Sequence, residues 1–208
     1  ARLAGRPVVV HARHRWAPSR LASICFQLAS ERIAISSYVH DSMPGKLANK
    51  TIVISNPFEA TVIDRGHARE GIAEVIGHTD SPVIAFVGTL IEQKQPSIFL
   101  RAAACLSQVV QAKFVLFGRA GNILCDLKKQ TADLGITDRV TFAGFRQDLE
   151  ILLSGCDLVL APAINEGHGR VLVEAMLHRV PVIASDSGGH REIIRHRQTG
   201  LLVVPNDP

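Results

Sequence analysis

Short apolar runs alternate with helix-like segments along almost the whole chain of 208 residues. The runs are rich in valine, isoleucine and leucine, and their continuous hydrophobicity predicts strands that are buried on both faces. Strands are predicted at 7–10, 32–36, 51–54, 83–87, 113–117, 140–143, 158–161, 181–184 and 201–204. This pattern predicts an α/β fold, in which a Rossmann-like parallel sheet has helices on both faces.

The segments between the strands predict helices at 19–29, 41–48, 97–109, 124–134, 148–154, 170–178 and 191–195. The polar stretch 59–80 is only weakly periodic, which predicts a linker with at most one helix. In open parallel sheets, ligands bind outside the carboxyl ends of the strands. The loops that follow Val87, Phe117, Ala143, Ala161 and Ala184 are therefore expected to line one crevice.

Composition excludes several classes of function. The net charge is +4, but the basic residues are scattered and aromatic residues make up only 5% of the chain. A nucleic-acid partner is therefore not expected, because a base-stacking platform needs interleaved aromatic side chains. The charge instead favours an anionic small molecule and allows peripheral contact with an anionic membrane. Apolar runs are shorter than the roughly 18 residues of a membrane-spanning helix.

The sequence offers no obvious metal site or nucleophile. The four cysteines lie far apart without a C-x-x-C motif, which favours a reduced, cytoplasmic setting over disulfides or structural zinc. His11 and His14 lack a third ligand at metal-binding spacing, and so do His190 and His196. G-x-S-x-G and Asp-x-Asp motifs are absent, so neither a serine nucleophile nor a metal-bridged diphosphate is expected.

The string N-E-G-H-G-R-V-L-V-E-A-M at 165–176 carries the strongest functional signal. It follows a predicted strand and opens a predicted helix. Gly167 and Gly169 let the backbone approach a ligand closely, and the first amides of the helix form an anion or hydroxyl site. Glu174, in the second turn, can accept hydrogen bonds from vicinal ribose hydroxyls. Alternatively, Glu166 and Glu174 merely complement the helix N-terminus.

This string resembles the E-x7-E motif of a large retaining glycosyltransferase family. The family includes glycogen, sucrose and sucrose-phosphate synthases and many bacterial polysaccharide and lipid-glycan transferases. Supporting strings are G-T-L at 88–90 followed by Lys94, R-V-T-F-A-G at 139–144, P-V-I-A-S at 181–185, S-G-G-H-R-E at 187–192 and T-G-L-L-V at 199–203. The resemblance covers 82–208 well and implies the GT-B fold, which consists of two Rossmann-like domains.

The resemblance also implies a division of the chain. Residues 1–60 would be the C-terminal part of an acceptor-side domain, 61–80 a linker, and 81–208 a near-complete donor-binding domain without its last helices. The reaction implied is transfer of a hexose-type sugar from a nucleotide diphosphate sugar to a glycan or lipid-linked acceptor. No cofactor and no metal are expected, and the missing Asp-x-Asp motif fits the metal-independent chemistry that the resemblance implies. The resemblance also implies front-face departure and attack, for which no protein nucleophile is needed.

Site roles follow from the same resemblance. Glu166 would contact the donor sugar and hold developing charge, and Arg13, or His14 as second candidate, would face the sugar across the cleft. Lys94 would neutralise the diphosphate, Glu174 would bind the ribose, and the loop at 144–146 would lie against the base. The donor-binding residues implied are Gly88, Thr89, Lys94, Gly144, Phe145, Arg146, Gly167, His168, Gly169, Arg170, Glu174 and Gly189.

The sequence departs from the family pattern at two positions. Thr89 stands where the family usually has arginine, which removes one diphosphate cation, although Arg170 can supply a charge. His168 stands where an aromatic or apolar residue is usual. A non-catalytic nucleotide-binding or regulatory module, a nucleotide-sugar epimerase of similar fold, and a structural domain without ligand therefore remain as alternatives.

Overall fold

The computed structural model describes residues 5–17, 19–78 and 80–208. Residues 1–4, at the start of the predicted first domain, lie outside the described residues, as do Pro18 and Thr79, which falls in the predicted linker. Two separate sheets are present in these ranges, and every strand pair in both is parallel. This confirms the predicted α/β fold class with parallel sheets.

The first sheet has the strand order β1-β2-β3. Its core contains Phe26, Ala34, Val39 and Leu47. The elements of this unit are β1 (Val9–Ala12), α1 (Arg20–Leu28), β2 (Glu31–Ala34), α2 (Ser37–Asp41), α3 (Gly45–Ala48) and β3 (Thr51–Val53).

Two predictions for this unit were wrong in detail. The first strand begins two residues later than predicted, with Val9 opposite Glu31 of β2. Pro7 is outside the strand because it has no backbone N–H to donate to a neighbouring strand. The single helix predicted at 41–48 is two short helices. Ser36 caps the first helix by accepting a 3.1 Å hydrogen bond from Val39 N. Pro44 separates the two helices, because a proline disfavours the helical conformation of the residue that precedes it.

The second sheet has the strand order β6-β5-β4-β7-β8-β9. The chain moves outward from β4 to β6 and then returns to the other side of β4, so the strand order reverses between β4 and β7. Its elements are β4 (Val83–Val87), α5 (Pro96–Leu106), β5 (Lys113–Phe117), α6 (Leu124–Asp133), β6 (Val140–Gly144), α7 (Leu149–Ser154), β7 (Leu158–Ala161), α8 (Arg170–Leu177), β8 (Val182–Ser185), α9 (His190–Ile193) and β9 (Leu201–Val203).

Helices cover both faces of the second sheet, as predicted. Successive residues of β4 point to opposite faces: Val83 and Ala85 belong to the core under α7 and α8, whereas Ile84 and Phe86 belong to the core under α5. β4 is thus buried on both faces, and the loop that follows it starts from the interior of the sheet.

A single helix, α4 (Arg65–Ile76), lies within the predicted linker segment. Ala68 and Ile72 are buried, and Ile72 belongs to the core of the second sheet. Arg69 donates to Asp157 Oδ2 at 2.9 Å, ahead of β7. The helix is thus docked onto the second unit, which the weak periodicity of this stretch did not predict. No helix in the described ranges is long and apolar enough to span a membrane.

Candidate functional site

A cleft of about 460 Å³ lies at the carboxyl ends of β4 and β7, where the strand order of the second sheet reverses. Such a reversal is the expected ligand position in an open α/β sheet, because the flanking loops diverge there. Residues of the first unit close the opposite wall. Predicted site residues that line the cleft are Arg13 and the second candidate His14, together with Lys94, Glu166, His168, Gly169, Arg170 and Glu174.

The loop from β7 to α8 forms the floor of this cleft. Gly169 has a φ of 79° and is the residue that caps α8, a conformation that glycine adopts without strain. The helix begins directly after it, so its first amides lack partners within the helix and carry partial positive charge. A Cβ at Gly167 would collide with the carbonyl oxygen of Arg13. This contact brings the first unit against the loop.

Lys94 and Glu166 meet across the point where the strand order reverses. Lys94 comes from the loop after β4 and Glu166 from the loop after β7, and Lys94 Nζ donates to Glu166 Oε2. Their side chains are 29% and 17% exposed. A 3.1 Å bond from Ile164 N to Gln93 O ties the two loops together. The site therefore contains a cation and a carboxylate, both partly removed from solvent.

Glu174 and Arg170 lie on the same face of α8. Arg170 donates to Glu174 Oε1 at 2.9 Å, and the side chains are 55% and 25% exposed. The guanidinium also lies 5.8 Å from the ring centroid of Phe58, whose ring stacks on His168 with 6.1 Å between centroids. Because exposed pairs of this kind are weak, a ligand can displace Arg170 from Glu174 at small cost.

Hydrogen bonds between the two units hold the cleft together. Glu192, at the end of the S-G-G-H-R-E string, accepts hydrogen bonds from Ser37 N at 3.0 Å and Tyr38 N at 2.6 Å. Tyr38 Oη donates to Asn165 Oδ1 at 2.9 Å, and Ser36 Oγ donates to Gly167 O at 2.5 Å. No local sequence pattern predicts these hydrogen bonds, because each of them joins residues more than a hundred positions apart.

Two histidines line the cleft, and burial lowers the pKa of both. His168 is 8% exposed, and both of its ring nitrogens are buried without a hydrogen-bond partner. His190 is 1% exposed. In the sequence, His190 stands out only by its spacing from His196, which lacks a third metal ligand, and no local pattern predicts a role for it in the cleft.

The remaining predicted residues lie outside the cleft lining. Thr89 is exposed, and Gly88 is close enough to Lys94 that a Cβ would touch its Cγ and Cδ at 3.5 Å. A Cβ at Gly189 would come within 2.6 Å of Gly167 O. These positions surround the cleft and shape its loops.

The loop Gly144-Phe145-Arg146 lies at the end of β6, two strands away from β4. Phe145 is 59% exposed, with the Arg119 guanidinium 5.0 Å from its ring centroid. Arg146 is paired with Asp148 at 2.7 Å. None of the three lines the cleft, so a ligand that reaches them must extend along the sheet edge from β4 towards β6.

The described part of the chain contains no group of three or more His, Cys, Asp or Glu side chains that could hold a metal ion. The charged and hydrogen-bonding groups that the cleft offers are Lys94, Glu166, the amides that open α8, and the Arg170–Glu174 pair. Together these groups can bind an anion beside a polyhydroxyl group.

Comparisons with known proteins find similarity to glycosyltransferases. The family model described as "Glycosyl transferases group 1" matches residues 69–208. An uncharacterised glycosyltransferase of Methanocaldococcus jannaschii is 33% identical over 156 residues, which is 74% of this chain and 40% of that protein. A UDP-Gal:α-D-GlcNAc-diphosphoundecaprenol α-1,3-galactosyltransferase of Escherichia coli is 28% identical, over 100% of this chain and 59% of that protein.

Among solved structures, the Anabaena protein HepE in complex with UDP and glucose superimposes with a TM-score of 0.86 at 29% identity. The match covers 99% of this chain and 60% of the HepE chain. The chain thus spans well under two thirds of the length of the relatives that it matches.

Proposed function

Because the chain belongs to the glycosyl transferases group 1 family, we propose that its cleft binds a nucleotide diphosphate sugar. We further propose that the protein transfers the sugar to a glycan or lipid-linked acceptor with retained configuration. One observation carries the proposal: Lys94, Glu166 and the opening of α8 converge at the reversal of strand order. A diphosphate needs cationic donors, and a reacting sugar needs a carboxylate close to the bond that breaks.

The diphosphate lies between Lys94 and the first amides of α8. Lys94 Nζ donates to Glu166 Oε2, which holds the ammonium group where it can also donate to a phosphate oxygen. Helix N-termini bind phosphates through unpaired amides and the helix dipole. Arg170, which is half-exposed at the same end of α8, adds a further positive charge, and no metal is needed to neutralise the leaving group.

The sugar lies over Glu166, with Arg13 on the facing wall. In the transfer step, the bond between the anomeric carbon and the diphosphate oxygen breaks, and its electron pair leaves with the diphosphate. The acceptor hydroxyl oxygen bonds to the same face of that carbon, and its proton passes to the departing phosphate oxygen. The carboxylate of Glu166 stabilises the positive charge that develops on the sugar ring.

The nucleoside extends from α8 along the sheet edge. Glu174 exchanges its ion pair with Arg170 for hydrogen bonds from the two ribose hydroxyls. The base then reaches the loop at 144–146, where the exposed ring of Phe145, with the guanidinium of Arg119 beside it, offers a flat surface for stacking.

The relatives support a sugar nucleotide and a lipid-linked acceptor. HepE was solved with UDP and glucose, and the printed name of the E. coli relative specifies a UDP-galactose donor and a diphosphoundecaprenol-linked acceptor. The net charge of +4 allows peripheral contact with an anionic membrane surface, which suits a lipid-linked acceptor.

Calorimetry with UDP, GDP and ADP tests the nucleotide site. We expect at least one of them to bind the wild-type chain, and Glu174→Ala to weaken that binding about tenfold, because hydrogen bonds to a charged group are lost. Thermal stability should barely change, since the Arg170–Glu174 pair is exposed. The matched control is Glu70→Ala, at an exposed position of α4.

The binding claim fails if none of the three nucleotides binds wild type more tightly than about 1 mM. Binding without any conversion of donor favours the alternative of a regulatory module, in keeping with Thr89 at a position that the family usually fills with arginine. Conversion of UDP-glucose to UDP-galactose without acceptor favours the epimerase.

A further inference from the structure

The imidazole of His190 forms part of the cleft wall, although it is almost fully buried. Its side chain is 1% exposed and lines the cleft. It stands at the first position of α9 (His190–Ile193), directly after Gly189. The surroundings fix its orientation through one ring nitrogen and direct the other nitrogen towards the loop that opens α8.

The hydrogen bonds of Nδ1 determine the tautomer. Nδ1 lies 3.1 Å from Ser185 O and 3.2 Å from Ser185 Oγ. A carbonyl oxygen can only accept, and the hydroxyl of Ser185 already donates to Ala163 O. Nδ1 must therefore carry the proton. Burial lowers the pKa of His190, so the ring is neutral and Nε2 is left as an acceptor.

Nε2 lies beside the residue that caps α8, where the proposed function places the sugar and the diphosphate. A Cβ at Gly169 would lie 2.7 Å from Cδ2 and 3.3 Å from Nε2 of His190, so the ring edge abuts the residue that caps α8. Glu166 and Lys94 are its charged neighbours. An unprotonated nitrogen repels phosphate oxygens, which are also acceptors, but it attracts a hydroxyl hydrogen.

We propose that His190 is a specificity-determining residue that accepts a hydrogen bond, through Nε2, from one hydroxyl of the donor sugar. The inference rests on the proposed function, because it places the sugar of a nucleotide sugar beside Glu166. Among the neighbours of the sugar in this arrangement, Glu166 and Nε2 of His190 are acceptors, whereas Lys94 and the amides of α8 are donors. The cleft therefore selects a sugar by the position of its hydroxyls.

Binding of deoxy analogues to the 208-residue chain tests this assignment. The probes are UDP, UDP-glucose and the UDP-glucose analogues that lack a hydroxyl at one sugar carbon. In wild type, we expect loss of one particular hydroxyl to weaken binding about tenfold relative to UDP-glucose. In His190→Leu, UDP-glucose and that analogue should bind equally, while UDP keeps its wild-type affinity. A merely structural histidine would not produce this pattern.

His190→Gln, which retains an acceptor, should restore part of the preference. A measurement that needs no variant is the ¹⁵N spectrum of the His190 ring. Nε2 should be unprotonated, and its resonance should move when UDP-glucose is added but not when UDP is added. These two results keep the proposal decidable if His190→Leu does not fold.

Three outcomes overturn the inference. One is that every deoxy analogue binds wild type within about twofold of UDP-glucose. Another is that His190→Leu loses UDP and UDP-glucose to the same extent, which would make the residue structural. Failure of UDP itself to bind wild type removes the proposed function and this inference together, whereas the first two outcomes leave the nucleotide site intact.

Discussion

Replacing Glu166 by glutamine is expected to slow release of UDP from UDP-glucose about a hundredfold, the usual effect of removing one electrostatic group from a transition state. Glutamine preserves the shape of the side chain but cannot stabilise positive charge on the sugar. UDP binding should be unchanged or tighter, because Lys94 loses its carboxylate partner and becomes free to contact phosphate. The rate should therefore fall without a loss of nucleotide affinity.

The measurement is UDP release over time, with wild type, Glu166→Gln and the control Glu70→Gln on the outer face of α4. Product analysis by NMR at early times should show the sugar released with the anomeric configuration of the donor. Equal rates in wild type and Glu166→Gln contradict the role given to this carboxylate. A wild type that binds UDP-glucose and releases no UDP supports the regulatory module instead.

Replacing Gly118 by alanine is expected to lower the free energy of unfolding by about 3 kcal/mol or more. Gly118 follows β5 with a φ of 146°, and a Cβ there would lie 2.6 Å from the carbonyl carbon of Gly88 and closer still to its oxygen. Both strand ends are fixed, since Gly88 N donates to Phe117 O at 2.9 Å and Gly118 N to Gly144 O at 2.8 Å. The clash therefore cannot relax without separating β4 from β5.

Gly135→Ala is the matched control. Gly135 also has a positive φ, of 68°, but a Cβ there meets no atom within 4 Å, so only the backbone strain of about 1 kcal/mol remains. Urea unfolding followed by circular dichroism compares the two. Similar destabilisation by both substitutions would show that the loops after β4 and β5 are not held together as described.

The sequence predicted the second sheet better than the first, for a physical reason. Strands β4, β5 and β7 are mostly buried, and their continuous apolar runs end where the strands end. In the first sheet, Val9, Ile52 and Val53 are 60%, 54% and 43% exposed. Their hydrophobicity does not mark which residues pair, so the ends of these strands could not be predicted to the residue.

The docking of α4 could not be predicted from its sequence. Only Ala68 and Ile72 of this helix are buried, too few to give a clear helical period. Its position is fixed by the packing of Ile72 in the core of the second sheet and by the polar contacts of Arg69 with Asp157 and with Gly155 O at 2.9 Å. Such contacts depend on residues more than eighty positions away and leave no local pattern.

In the cleft, local sequence patterns predicted which residues belong to the site, whereas the order of the strands determines which of these residues contact one another. Glu166 and Lys94 could each be placed in a loop at the carboxyl edge, but their contact depends on β4 and β7 being neighbours. The strand order is not readable from the sequence. The acceptor nitrogen of His190 is likewise a property of the fold, because it follows from the contacts of Ser185 with His190 and Ala163.

A crystal structure of the chain with UDP tests the donor site most directly. In this complex we expect diphosphate oxygens within about 3 Å of Lys94 Nζ and of the first amides of α8. We also expect both ribose hydroxyls to donate hydrogen bonds to the carboxylate of Glu174, and Arg170 to be released from its present 2.9 Å ion pair with Glu174. UDP bound outside this cleft, or bound within it while Glu174 remains paired with Arg170, would contradict the account.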